Sequence, residues 1–248
     1  MENMKKYNFL GKEMKILIIF FTFLNFFNYL MAGAPPMNKE PIPPAPYSLI
    51  KTNHIIIGVE WEKETLKSFL PSSLSNKSNI TGGINIFNSK KKQAYSPLSG
   101  SYGWVDLPGN NNKKEKLIIF SIYGPNKTIN NIMKSVYSLQ SDMGSNKVTL
   151  INDNAIATAS IRKKNVLSLS SSGSKDCSNA SGEEILVTKH SETKRIYHNI
   201  KWISEKQCFS MPKKLELKGK LKKFKVKKML WAKTQRNSEV IFGEQLSK

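Results

Sequence analysis

From His54 onward the apolar residues of this chain come in short runs, closed off by glycine, proline, asparagine and serine. HIIIGV (His54 to Val59), GGINIF (Gly82 to Phe87), YGWVDL (Tyr102 to Leu107) and LIIFSIY (Leu117 to Tyr123) are six or seven residues long. They are too short for buried helices and rich in the β-branched and aromatic residues that suit a pleated sheet. Lys147 to Ile151 and Ala155 to Ile161 read as strands as well. Farther on, Glu184 to Thr188, Ile196 to Ile203, Leu215 to Val226 and Glu239 to Phe242 alternate apolar with polar residues, as half-buried strands do. The Ser- and Gly-rich stretch Ser168 to Glu184 reads as a surface loop.

Two segments carry a helical period instead. Glu60 to Leu70 places Trp61, Leu66, Phe69 and Leu70 on one side of a short helix that Pro71 ends. Thr128 caps a second, in which Ile129, Ile132, Met133, Val136 and Tyr137 form an amphipathic stripe, with Gly144 as a later stop. The pattern is mainly antiparallel β with two helices, in one domain from residue 47 to 248. With 248 residues and 39% hydrophobic content, the chain can bury a full core without disulfide support.

The N-terminus has a different grammar. Lys5, Lys6, Lys12 and Lys15 precede an apolar run from Ile16 to Met31, followed by Ala32-Gly33-Ala34 and two prolines. Residues 1–34 therefore read as a signal peptide, with Met14 as an alternative start. The run is shorter than the roughly 20 residues of a membrane-spanning helix, and an uncleaved anchor is the competing reading. Residues 35–46 (PPMNKEPIPPAP) form a Pro-rich extended arm. The protein is expected to be exported, periplasmic or secreted. In that compartment Cys177 and Cys208 can form one disulfide, closing a loop of about 30 residues and contributing roughly 3–4 kcal/mol, or remain two thiols. Four sequons, at Asn76, Asn79, Asn126 and Asn179, would carry glycan in a eukaryotic host.

Net charge is +21, from 39 basic and 18 acidic residues. All but three of the basic residues are lysine, the arginines being Arg162, Arg195 and Arg236. A nucleic-acid surface draws on arginine for bidentate contacts, so a nucleic-acid partner is not expected. Lysines concentrate from Lys213 to Lys233, ten of them against the single acid Glu216, with Leu215, Leu217, Leu221, Phe224 and Val226 between. A strand pair with one apolar and one cationic face fits this pattern. It serves either as a solubilising edge or as a contact for anionic lipid, polymer or acidic protein. His54, His190 and His198 fall in no metal-binding or catalytic motif, and no nucleophile elbow or phosphate loop occurs, so neither metal nor cofactor is expected.

Three stretches in order resemble the acetoacetate decarboxylase family. They are Pro43 to Leu74 (PPAPYSLIKTNHIIIGVEWEKETLKSFLPSSL), Ser96 to Gly109 (SPLSGSYGWVDLPG) and Leu117 to Ala159, with the C-terminal SEVIFGEQLSK similar to the family's closing strand. The resemblance implies a large closed antiparallel β-barrel with two short flanking helices, and homo-oligomers by analogy. It also implies a chemistry in which a lysine, its pKa depressed by burial and a second lysine, forms an imine with a keto acid. The motif that carries this lysine has the form G-R-E-x-x-x-Y-P-K-K. Laid without gaps on this chain, it falls on Met133 to Asp142, with Ser141 at the imine lysine, Asp142 at its partner, Lys134 at the arginine and Ser135 at the glutamate. The strand carboxylate expected two residues after Tyr102 is Trp104. The resemblance thus implies a pocket around Tyr102, Trp104, Lys134, Ser141 and Asp142 that binds a small keto or hydroxy acid without imine catalysis. A shifted register would make Lys147 the nucleophile, and the protein would then be a decarboxylase working through Lys147 or Lys134.

Overall fold

The computed structural model describes residues 45–89, 99–108, 114–123, 146–153, 155–160, 163–169, 177–189 and 195–246, and the described residues lie in a single compact unit. Seven strands close into a barrel: β1 (Tyr47–Trp61), β2 (Ile80–Ser89), β3 (Ser99–Leu107), β4 (Lys114–Tyr123), β8 (Cys177–Lys189), β9 (Arg195–Ser210) and β11 (Val226–Leu246), in the order β1-β11-β9-β8-β4-β3-β2. A separate four-stranded sheet has the order β10 (Pro212–Lys218), β5 (Lys147–Asn152), β6 (Ala155–Ser160), β7 (Lys163–Leu169).

The mainly β character and the closed barrel agree with the sequence reading. The barrel is not antiparallel throughout, because β4 and β8 run parallel over Lys114–Leu117 and Glu184–Val187.

β1 shows why its core reads as a continuous apolar run rather than an alternation. Ile55, Ile57 and Val59 belong to a core that includes Val148, Leu150, Ala157 and Ala159 of the second sheet. Ile56, on the other face, belongs to a second core with Phe87, Trp104, Ile118, Leu186 and Ile200. A strand buried on both faces has no polar side to show. Burying the Ile55, Ile57 and Val59 side chains contributes roughly 1.5–3 kcal/mol each.

Other expectations change. Glu60 to Leu70 is not one helix: Trp61 ends β1 and only Lys63–Leu66 forms a short 3-10 turn, followed by α1 (Ser72–Ser75). Trp61 stays in the strand, buried, its Nε1 donating to the Trp104 carbonyl at 2.9 Å. The stretch read as a loop up to Glu184 contains the first half of β8, because Cys177 lies opposite Cys208 on β9 and the two are joined by a disulfide. Leu215 to Val226 is not one strand either. β10 ends at Lys218, Gly219 takes a positive φ of 68°, and a 3-10 turn (Gly219–Lys223) leads into β11. The two halves of the lysine-rich segment do not form a strand pair: β10 pairs with β5, and β11 pairs with β1 and β9. The expected helix from Thr128 to Tyr137 lies outside the described residues.

The contact between Trp61 and Trp104 leaves no room for a side chain on β2 beside it. A Cβ at Gly82 would lie 2.0 Å from the Trp104 carbonyl oxygen and 2.7 Å from Trp61 Nε1. Gly82→Ala is therefore expected to lower unfolding stability by roughly 1–3 kcal/mol, read as a fall in the denaturant midpoint at unchanged slope.

Candidate functional site

Within the barrel lies a cavity of about 50 Å³, lined mostly by apolar and aromatic side chains. Six of the seven barrel strands contribute a polar or charged side chain to it: His54 from β1, Asn85 from β2, Tyr102 from β3, Lys116 from β4, Glu184 from β8, and Lys233 and Gln235 from β11. Trp104 and Trp202 line the cavity as well.

The parallel β4–β8 pairing brings two of these groups together. Lys116 Nζ forms a salt bridge to Glu184 Oε2, with both side chains at most 15% exposed, and sits 4.5 Å from the centre of the Trp104 ring. The Trp104 indole is fixed from behind, its Nε1 donating to Asp106 Oδ1 at 2.9 Å. The second cation has no such carboxylate: among the described residues no salt bridge involves Lys233, whose Nζ sits 5.0 Å from the Trp202 ring and 5.9 Å from the Trp231 ring. Burial, assisted by the positive charges of Lys116 and Lys114 and opposed by Glu184, lowers its pKa to about 8. The indole faces favour the ammonium and work in the opposite direction. With a pKa near 8, about a tenth of the molecules carry a neutral amine at pH 7, against roughly one in a few thousand for an ordinary lysine.

His54 is held beside these cations. Its Nδ1 lies 3.1 Å from Asn85 Nδ2, and its ring stacks on Phe87 at 5.9 Å. Burial lowers its pKa to about 4; the Asn85 hydrogen bond works the other way, and the charges of Lys233 and Lys116 add to the lowering. The ring is therefore uncharged at neutral pH. Burial pushes the Tyr102 phenol well above its ordinary value, with Glu184 adding to the rise and an Asn85 hydrogen bond opposing it. Burial does the same to Tyr123. Together these groups form a site with two amines and one carboxylate, which suits an anionic ligand with a carbonyl or hydroxyl oxygen.

Of the residues singled out in the sequence, Tyr102 and Trp104 line this cavity. Lys147 opens β5 in the four-stranded sheet, opposite Ser160 and Lys218, and is not among the lining residues. Lys134, Ser141 and Asp142 lie outside the described residues. The sequence reading missed Lys233, Lys116, Glu184 and His54 as members of one site. Lys233 was hidden in a run of lysines, and only the strand register separates it from its exposed neighbours.

The crystal structure of acetoacetate decarboxylase from Legionella pneumophila is similar to this chain at a TM-score of 0.55 and 10% identity, over 87% of this chain and 93% of that one. This is the acetoacetate decarboxylase-like fold. A second acetoacetate decarboxylase structure matches at a TM-score of 0.47 and 11% identity, over 88% of this chain and 95% of that one. An acetoacetate decarboxylase-like enzyme from Sphingomonas wittichii RW1 matches at 0.44 and 9% identity, over 87% and 98%. No protein-family model matches the sequence, and no curated protein matches it.

The charge buried in this acetoacetate decarboxylase-like barrel has a measurable consequence. An unfolded lysine titrates near 10.4, so between about 8 and 10.4 the unfolded chain binds more protons at Lys233 than the folded one, and stability from this group rises with pH across that window. Below pH 8 the penalty for the buried ammonium is present in full. Lys233→Met is expected to be more stable than wild type at pH 7, by roughly 1–2 kcal/mol once the side chain's partial exposure is allowed for, with the gain shrinking towards pH 10. Denaturant titrations of both proteins across this range check it.

Proposed function

We propose that the barrel cavity captures a small keto acid through the Lys233 amine. The observation that carries this reading is an amine of lowered pKa, without a carboxylate of its own, facing an apolar cavity beside a second lysine. The neutral amine adds to the ketone carbon, the ketone oxygen leaves as water with one proton taken up from solvent, and a protonated imine forms on Lys233. Lys116, held in place by its salt bridge to Glu184, offers its amine group to the ligand's carboxylate. Tyr102, protonated throughout the neutral range, and the uncharged His54 offer hydrogen bonds to its remaining oxygen atoms. With a 3-keto acid, the electron pair of the bond to the carboxylate carbon moves into the iminium as carbon dioxide departs. The enamine then takes a proton at carbon, and hydrolysis returns the lysine.

This differs from the family's imine motif, whose positions here fall on Ser141 and Asp142. In this reading the amine comes from β11 instead. The protein works outside the cytoplasm, a reading supported by the N-terminal apolar run and by the Cys177–Cys208 bond, which suits an oxidising compartment.

The test is reductive trapping. Incubating the protein with acetoacetate and cyanoborohydride should add one reduced adduct to the intact mass, mapped by peptide analysis to Lys233 and absent from Lys233→Arg. Its rate should climb nearly tenfold per pH unit up to about 8 and level off above, as the amine loses its proton. An adduct on Lys147 or Lys134, or no adduct on a folded protein, would refute the assignment. Carbon dioxide release in the same incubation without reductant separates a lyase from a binding protein.

A further inference from the structure

Past Lys233 the same face of the sheet continues into solvent. Phe209 lies directly across from Lys233 on β9, and Trp231 precedes it by two residues on β11, so the period-two alternation puts all three on one side. Phe209 is 58% exposed, Trp231 38%, and Met211, just beyond the end of β9, 69%. β11 bulges at Leu230, which is exposed too. These are large apolar side chains in adjacent positions at one end of the barrel, where a solvated surface would carry polar ones.

Trp231 is held in place rather than loosely exposed. It pairs with Gly58 of β1, where a Cβ would lie 2.1 Å from the indole, so the ring rests on bare backbone and cannot fold further inward. Lysines flank the patch on both sides: Lys213 and Lys214 follow Met211, and Lys225, Lys227 and Lys228 precede Leu230, all exposed. Lys213 and Lys227 are paired with Asp153 and Glu60, whereas Lys214, Lys225 and Lys228 make no salt bridge among the described residues.

An apolar tip with exposed lysines next to it along both chain segments matches one kind of surface, apolar beneath and anionic on top. We propose that Phe209, Met211, Leu230 and Trp231 dock the barrel end into the interface of an anionic lipid membrane, with the flanking lysines on its headgroups. A soluble polyanion would use the lysines and leave the apolar residues in water. Each lysine close to an anionic bilayer raises partitioning by a factor of about five. Because Lys233 Nζ is 5.9 Å from the Trp231 ring, docking would set the keto-acid cavity next to the membrane. The proposal stands independently of the chemistry in that cavity.

The test uses the full chain and vesicles of phosphatidylcholine and phosphatidylglycerol carrying brominated acyl chains. The emission of Trp231 is taken as wild type minus Trp231→Phe, so that binding through the N-terminal apolar run does not contribute. Docking predicts that this difference emission shifts to the blue and is quenched, while the buried Trp61 and Trp104 are not. It predicts that a Phe209→Ser, Met211→Ser double variant partitions about tenfold more weakly, and that high salt or pure phosphatidylcholine removes most of the binding. Vesicle binding with unquenched Trp231 overturns the proposal. So does binding to a soluble polyanion with equal affinity, or a dimer in solution that shields Trp231.

Discussion

The pairing of β1 with β11 joins the two edges of the sheet, from Tyr47 opposite Phe242 to Trp61 opposite Val226, and makes a barrel of what would otherwise be an open, curled layer. Both faces of β1 depend on it. Ile55, Ile57 and Val59 are buried against the outer layer and Ile56 against the inner core, so a separation of β1 from β11 would expose both. The ladder also sets which lysine of β11 turns inward. Lys233 lies opposite Ile56, a cavity residue, whereas Lys228 lies opposite Glu60 near the strand's end. A one-residue slip would exchange the inward and outward faces of the strand and return the amine to solvent.

Closure has an electrostatic consequence. Inside the barrel the low local dielectric makes each charge matter to the others, and the groups sort by whether they have a partner. Lys116 has Glu184 as its salt-bridge partner. His54 is buried with Asn85 as its hydrogen-bond partner and two cations nearby, and is neutral. Lys233 sits between these cases, without its own carboxylate but against two indole faces. The parallel pairing of β4 with β8 is the topological feature that delivers Glu184 to Lys116 and leaves Lys233 without one.

Much of the fold was legible in the sequence because burial on both faces writes itself as a continuous apolar run. HIIIGV and LIIFSIY are strands for that reason, and β5 and β6 were read to within a residue or two. What escaped was structure held by partners rather than by apolar content. The first half of β8 (CSNASGE) is polar, and is a strand because it pairs with β9 and carries Cys177. Trp61 was read into a helix because its apolar neighbours also fit a 3.6-residue period, yet its indole bonds to the Trp104 carbonyl from the strand. At the site, Tyr102 and Trp104 were reached through the family resemblance. Lys233, Lys116, Glu184 and His54 come from four separate strands, and nothing local marks them. The lysine excess, which read as a solvated edge, concealed the one lysine of that run that faces the cavity.

The central claim is that a closed barrel holds the Lys233 amine in a site where burial and a neighbouring cation loosen its proton. Labelling the lysine ε-carbons with carbon-13 and following their shifts with pH, with Lys233→Arg to assign the signal, measures this directly. The account predicts one resonance titrating near 8, separate from the bulk of the lysines near 10.4. A Lys233 resonance that titrates with the bulk would place the amine in water and contradict it.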